Sequence, residues 1–185
     1  MKINILLIFL LSFFGQIDYR LSNESSFLIK GTSTLHDWEM ESSSATGNIS
    51  FDMDGSQIVG VKALSITIPA ESLKSDKSGL DKNAYKSLKS SEFKNIIFKM
   101  SRMTKFQKSN NGYQITCDGS LEIAGKSNKT SITATCSQLS DGSVKCKGEK
   151  PLKMSEYGVE PPSFMFGSVK TGDEIAVEFD VNFNK

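Results

Sequence analysis

The stretch over residues 112–148 constrains the fold most, because apolar and polar residues alternate through three successive segments of it. Period-two alternation is typical of a strand with one buried face. The residues that share the apolar face are Ile115, Cys117, Gly119, Leu121 and Ile123, then Ile132, Ala134 and Cys136, then Val144, Cys146 and Gly148. Turn residues separate the segments at 125–128 and 140–142. The stretch therefore predicts a three-stranded antiparallel meander.

The register of this meander follows from the position assumed for its first turn. If that turn centres between Lys126 and Ser127, Cys117 faces Cys136 and Leu121 faces Ile132. In the second hairpin Cys136 faces Cys146, with Gly142 at the left-handed position of the loop. One disulfide is expected, either Cys117–Cys136 or Cys136–Cys146, since facing strand residues lie within bridging distance. The alternative is three small buried hydrophobic residues.

The rest of the chain has the same strand character. Alternation predicts further strands over residues 25–34, 38–51, 59–69, 96–105 and 174–183. Residues 70–94 are the only helical stretch, where Leu80, Ala84, Tyr85 and Leu88 form an apolar stripe. Eight or nine antiparallel strands with short connections predict an all-β fold, a small closed β-barrel with one short helix in a connecting segment.

The N-terminus predicts export. Met1 and Lys2 precede an apolar run over residues 3–14, which fits a secretory signal peptide and is short for a membrane span. We expect a signal peptide over residues 1–19, a single domain over residues 20–185, and a mature N-terminus between Gln16 and Ser22. An uncleaved anchor is the alternative. The predicted location is periplasmic or secreted.

Composition and motifs argue against nucleic-acid binding and catalysis. The formal net charge is +1, and only Arg20 and Arg102 among the 22 cations are arginine, so no basic excess marks a nucleic-acid surface. His36 is the sole histidine, and beside Asp37 it has the makings of a polarised base, but no nucleophile is placed with it. No motif for a nucleotide, cofactor or metal is present. We expect neither an enzyme nor a cofactor.

Four segments in order resemble the YceI-like family. They are GTSTLHDW at 31–38, LDKNAYKSLK at 80–89 running on to Phe93 and Phe98, GSLEIAG at 119–125, and MSEYGV at 154–159 followed by GDEIAV at 172–177. The resemblance implies an exported, lipocalin-like, eight-stranded antiparallel barrel whose apolar interior holds a long isoprenoid chain, of the polyprenyl quinone or polyprenyl phosphate type. The chain departs from the family pattern at residues 81–84 and at Met154 and Ser155, so the family's head-group contacts are not carried over.

The predicted lipid-binding residues are mostly aromatic, methionine and other apolar side chains. They are Phe27, Ile29, Trp38, Met40, Leu64, Ile66, Phe98, Met100, Cys117, Leu121, Ala134, Phe164 and Phe166. These residues either fill a core or line a tunnel, and the small inward residues Gly31, Gly119, Ala134 and Gly148 favour a tapering tunnel. The 164–166 aromatic residues are expected to close one end of it.

The partner is expected to be an isoprenoid or another long-chain lipid, and the oligomeric state is left open. Five lysines in or near the helical stretch are compatible with transient contact with an anionic membrane surface, with contact with a diphosphate, or with a simple solvated face: Lys74, Lys77, Lys82, Lys86 and Lys89. The alternatives to lipid carriage or storage are a packed structural or stress-associated barrel without ligand, and an accessory protein to an enzyme of isoprenoid metabolism.

Overall fold

The structure is a computed structural model that describes residues 14–109, 112–164 and 168–185. Its strands are β1 Phe14–Leu21, β2 Ser26–Ser33, β3 Trp38–Ser42, β4 Thr46–Asp54, β5 Gln57–Pro69, β6 Asn95–Ser109, β7 Gly112–Ile123, β8 Lys126–Gln138, β9 Val144–Lys153, β10 Ser163–Phe164 and β11 Val169–Asn184. The α-helix α1 spans Ser78–Ser87, and 3-10 turns cover Ala70–Ser72 and Met154–Tyr157. Within the described residues, no helix is long and apolar enough to cross a membrane.

Eight strands form a closed antiparallel ring in the order β1, β4, β5, β6, β7, β8, β9, β11, with β11 pairing back onto β1. Strand β2 continues the line of β1 along β11, and β3 pairs with β2 and leads into β4. Strands β1 and β2 thus occupy one position of the ring in succession, and β4 and β3 occupy the next position in the same way. Irregularities in the β4–β5 and β6–β7 ladders bend the long strands, as closure requires. This architecture confirms the predicted antiparallel barrel.

The predicted meander is present as β7, β8 and β9, but the predicted register of its first hairpin is wrong. Cys117 pairs with Ile132, and Tyr113 pairs with Cys136. The turn is the two-residue Ala124-Gly125, whose φ angles of 50° and 78° are both left-handed, as the tight hairpin turns require. A shift by an even number of residues keeps every side chain on its predicted face. In the second hairpin Cys136 pairs with Cys146, and Gly142 has a φ of 84°, as predicted.

Strand β1 was not predicted, because its residues were assigned to the signal peptide. It pairs with β4 from Phe14–Asp54 to Arg20–Asn48. The predicted boundary between residues 19 and 20 falls inside this strand. The first predicted strand, over 25–34, corresponds to β2.

The two ends of the barrel differ in their connections. At the disulfide end, beside Cys136 and Cys146, lie the short β4–β5 and β8–β9 turns, the end of β6 and the start of β7. At the helix end lie the long β5–β6 link with α1, the Met154–Tyr157 turn and the β2–β3 corner. We use these two names for the ends below.

Helix α1 is where the sequence predicts it, and polar contacts fix the link that carries it. The Tyr85 hydroxyl donates to the carbonyl oxygens of Leu73 at 2.7 Å and Glu71 at 3.0 Å. The Asp81 carboxylate accepts from the Ser75 backbone N–H at 2.8 Å and from its hydroxyl at 2.7 Å. The Ser75 hydroxyl bond above all holds the pKa of Asp81 below its usual range. The link is therefore folded back on itself across the barrel end.

Candidate functional site

An apolar cavity of about 240 Å³ occupies the barrel interior and extends from the helix end to the Cys136–Cys146 disulfide. Its walls come from the inward faces of the ring strands, which place apolar side chains at alternate positions. Wall residues include Ile49, Val61, Leu64, Ile66, Ile96, Phe98, Ile115, Leu121, Ile132, Ile175, Val177 and Phe179. Because this lining is largely apolar, the cavity offers water few of the polar partners that it needs. It suits an apolar ligand.

Helix α1 covers the cavity. Leu80, Ala84 and Leu88, three members of the predicted apolar stripe, face into it. The fourth member, Tyr85, instead points its hydroxyl at the link backbone, as described above. Leu73 from the link and Tyr157 from the 3-10 turn complete the cover, and both are buried. The cover is thus built from short segments that contact the strand walls mainly through apolar side chains.

The disulfide end closes the other side of the cavity. Tyr19 and Phe51 are fully buried there and meet edge to face, with ring centroids 5.3 Å apart. Of the two cysteine pairings left open by the sequence, the structure forms Cys136–Cys146. Cys117 stays a free, buried thiol on the cavity wall. Its pKa is raised to about 11, first by burial and then by the neighbouring Asp118 carboxylate.

Most of the predicted lipid-binding residues lie on one continuous surface. Ten of them line the cavity: Phe27, Ile29, Trp38, Met40, Leu64, Ile66, Phe98, Cys117, Leu121 and Ala134. Met100 is not on that surface; it packs beside the wall and borders a groove on the outside of the sheet. Phe164 belongs to β10, which pairs with β11. Phe166 lies outside the described residues, so closure by this loop stays a prediction.

The small inward residues do not create the empty space that the sequence suggested. A Cβ on Gly31 would lie 2.2 Å from the Trp38 ring, one on Gly119 2.8 Å from the Phe98 ring, and one on Gly148 2.4 Å from the Phe179 ring. Each glycine is therefore covered by an aromatic ring from the adjacent strand. Of the four small residues, only Ala134 borders the cavity. The tapering-tunnel interpretation is wrong in this respect, because glycine here makes room for a ring and leaves no void.

One inward residue that the sequence reasoning missed is a lysine. Lys150 lies on β9 directly opposite Val177, and paired residues on adjacent strands share a face. It lines the cavity and is half-buried. The signal was present, since Lys150 continues the alternation of Val144, Cys146 and Gly148 and precedes Leu152. The inward face predicted for this strand ends at Gly148 and does not include Lys150.

The other charged residues singled out in the sequence lie away from the cavity. Lys74, Lys77, Lys82, Lys86 and Lys89 are exposed. The His36 ring is exposed too, and its Nδ1 lies 2.7 Å from the Asp37 backbone carbonyl oxygen, so that contact does not involve the carboxylate. Among the residues that the structure describes, no group of three or more His, Cys, Asp or Glu side chains is arranged to hold a metal ion.

Comparison with known proteins agrees with this geometry. A family model described as a YceI-like domain matches residues 19–183. No curated protein matches the sequence.

Solved structures with the same fold cover most of the chain. BcnA of Burkholderia cenocepacia has a TM-score of 0.71 at 16% identity, covering 88% of this chain and 98% of that one. A polyisoprenoid binding domain from Saccharophagus degradans, implicated in plant cell wall breakdown, has a TM-score of 0.66 at 10% identity, covering 90% and 97%. The YCEI protein of Campylobacter jejuni has a TM-score of 0.58 at 20% identity, covering 76% and 81%. At such identities the likeness shows the fold alone.

Proposed function

The chain belongs to the YceI-like family, and from that membership and its hollow barrel we propose that it holds a long isoprenoid chain in the cavity, for carriage or storage and without catalysis. The ligand is of the polyprenyl quinone or polyprenyl phosphate type. The polyisoprenoid binding domain from Saccharophagus degradans, which shares the fold, supports this choice of ligand class.

The apolar cavity is the observation that carries the proposal. Burial of hydrocarbon gains about 0.8 kcal/mol per CH₂ group, so a slender prenyl chain binds tightly without many polar contacts. Met40 and Met154 on the cavity surface suit such a ligand, because their flexible side chains follow a bent, methyl-branched chain. The ten predicted residues on the wall are proposed to contact the chain directly.

We also propose that the protein is exported after removal of a signal peptide over residues 1–19. The apolar run at residues 3–14 supports this. Tyr19, whose ring is fully buried against Phe51, is the last residue of that signal peptide, so cleavage at this boundary removes the contact, whereas cleavage one residue earlier keeps it. N-terminal sequencing of the secreted or periplasmic protein tests this: a start between Gln16 and Ser22 is expected, and an intact Met1 on a cytoplasmic protein contradicts it.

The test of lipid binding is native mass spectrometry of the purified protein with lipid extraction, comparing wild type with Ala134→Phe. Ala134 lines the cavity and pairs with Ile115, so a phenylalanine there projects into the space that the prenyl chain would occupy. We expect wild type to carry an isoprenoid and Ala134→Phe to lose most of it. The matched control is Thr135→Phe, the same side chain one residue further on the exposed outer face.

Retention by Thr135→Phe together with loss from Ala134→Phe places the lipid inside the barrel. Equal recovery from all three proteins would put the lipid elsewhere and contradict the proposal. An empty wild type that does not take up added prenyl lipid would favour the packed-barrel alternative. Thermal unfolding of the lipid-free proteins shows whether each variant is folded.

A further inference from the structure

The boundary between the neighbouring strands β8 and β9, here called the β8–β9 seam, is hydrogen-bonded over only part of its length. Its ladder runs from Gln138–Val144 to Thr135–Lys147 and stops there. Both strands continue toward the helix end, β8 back to Lys126 and β9 on to Lys153. The inward side chains of β7 are all buried, whereas those of β8 at Asn128, Thr130, Ile132 and Ala134 are half-exposed. A lateral gap therefore opens the hollow part of the barrel to the outside.

This gap joins the cavity to a groove on the outer surface. Lys150, Leu152 and Tyr157 border both the cavity and the groove. At the helix end the gap is bounded by a hydrogen bond of 2.8 Å from the Asn128 side-chain amide to the Glu156 carbonyl oxygen. Unpaired strand edges also present backbone N–H groups that need another partner.

The boundary between β5 and β6, the β5–β6 seam, is also only partly paired, but there a side chain fills the space between the strands. The β5–β6 ladder is confined to the five pairs from Ser65–Lys99 to Pro69–Asn95, although β5 begins at Gln57. There the Met103 side chain fills the separation, and the Val61 backbone N–H donates to its sulfur at 3.4 Å. An apolar side chain thus occupies the β5–β6 seam, whereas a lysine lies on the inward face beside the β8–β9 gap.

The groove outside the gap is cationic. Its charged residues are Lys99, Arg102, Lys126, Lys129 and Lys150, against Asp118 and Glu156. Arg102 is paired with Asp118 at 3.0 Å. Within the described residues, none of the four lysines forms an ion pair with a carboxylate. Their charges remain available for an anion.

We propose that the head group of the bound isoprenoid lies in the β8–β9 gap, and that it is a phosphate that Lys150 contacts. This proposal rests on the proposed function, since it assigns the polar end of the same ligand. The apolar chain would extend from the gap into the cavity, while the phosphate oxygens accept hydrogen bonds from the Lys150 ammonium and meet the lysines of the groove. A phosphate suits this site better than a quinone ring, because the groove offers positive charge.

The test compares two probes with the same chain, geranylgeranyl monophosphate and geranylgeraniol, on lipid-free protein. We expect wild type to bind the phosphate at least about ten-fold more tightly than the alcohol, the effect typical of a charge-assisted hydrogen bond. Lys150→Met keeps an apolar stem and removes the charge, so it should lower phosphate affinity several-fold and change alcohol affinity far less, with the other lysines of the groove keeping part of the preference. Lys62→Met, on the exposed face of β5, is the matched control and should keep the preference.

The outcomes separate this proposal from the proposed function. Equal affinity of wild type for both probes, or a preference that is undiminished in Lys150→Met, overturns the head-group assignment and leaves lipid binding standing. Failure of wild type to bind either probe overturns both. Inorganic phosphate at the same concentration should not displace the prenyl phosphate; displacement would assign the groove to free phosphate and overturn the proposal.

Discussion

The disulfide end and the helix end of the barrel are built on the same strands, yet one is packed and the other is hollow. At the disulfide end, Tyr19, Phe51, Ile58 and Val144 are almost completely buried and fill the space between the strands. Toward the helix end, inward residues such as Leu64, Ile66 and Val177 are half-buried and border the cavity. Both regions show strict alternation in the sequence. Alternation therefore tells which side chains face inward, but not whether they meet.

The difference comes from what lies opposite each inward face. At the disulfide end, short turns bring the strands together, and large side chains from β1, β4, β9 and β11 contact one another. At the helix end, the strands stay apart, and a separate segment, α1 with its link, covers the space between them. The cover places Leu80, Ala84 and Leu88 on the cavity surface and leaves the cavity between them and the strand walls. Filling one end and covering the other yields a stable barrel with space for a ligand.

The largest expected effect is on stability, when the same substitution is made at both ends. Phe51→Ala removes a fully buried ring and should lower the free energy of unfolding by about 3–5 kcal/mol. Phe179→Ala removes a half-buried ring that borders the cavity and should cost about 1–2 kcal/mol. Urea unfolding of lipid-free proteins gives both values. Equal losses would mean that the helix end is packed as tightly as the disulfide end.

A smaller effect is expected from adding one methyl group to an inward-facing glycine of β7. A Cβ on Gly119 would lie 2.4 Å from the Lys99 carbonyl oxygen, a backbone atom that cannot easily move. Gly119→Ala should therefore destabilise the protein by about 1–3 kcal/mol. The control is Gly79→Ala in α1, where no atom lies within 4 Å, which should be neutral or stabilise by about 0.5–1 kcal/mol. If Gly119→Ala were tolerated as well as Gly79→Ala, the ring of Phe98 would not be packed on that glycine.

Face assignment was the part of the structure most accessible from the sequence. The period of two placed Phe27, Trp38, Leu121 and Ala134 inward, and all four lie on the cavity wall. The register of β7 on β8 was not accessible, because slips by two or four residues leave the same faces inward. The register is decided only by which two residues form the turn, and these are Ala124-Gly125. The sequence does not single them out, because several residues that favour turns follow one another at 125–128.

The hollow interior and the gap could not be predicted from the pattern. Glycine in a strand is compatible with a void or with a ring packed on it, and here Trp38, Phe98 and Phe179 cover the three glycines. The alternation of β9 extends to Lys150, but only the pairing of β9 with β11, which places it opposite Val177, shows that this lysine borders the interior. Both features depend on contacts between strands distant in sequence. Strand β1 was missed for a different reason: the signal-peptide pattern and the strand pattern overlap at Gly15–Tyr19.

The last prediction concerns a chemical reporter on the cavity wall, the Cys117 thiol. Cys117 is the one free thiol of the three cysteines, and its side chain is buried and lines the cavity. Burial raises its pKa from the ordinary 9.0 to about 11. Because the thiolate is the reactive form, maleimide should label Cys117 about a hundred-fold more slowly at neutral pH than a free cysteine, before any steric protection.

The pH dependence of this labelling distinguishes an apolar interior from a wet one. In the folded, lipid-free protein the rate should keep rising up to about pH 11, whereas an exposed thiol levels off near pH 9. A raised pKa also means that the unfolded chain ionises first, so the contribution of this thiol to stability is lost as pH rises through that interval. The measurement is the labelling rate against pH for wild type, with Cys117→Ser as the blank. Labelling as fast as that of a free cysteine would show that water reaches the wall, and the contrast between a packed end and a dry, hollow end would not hold.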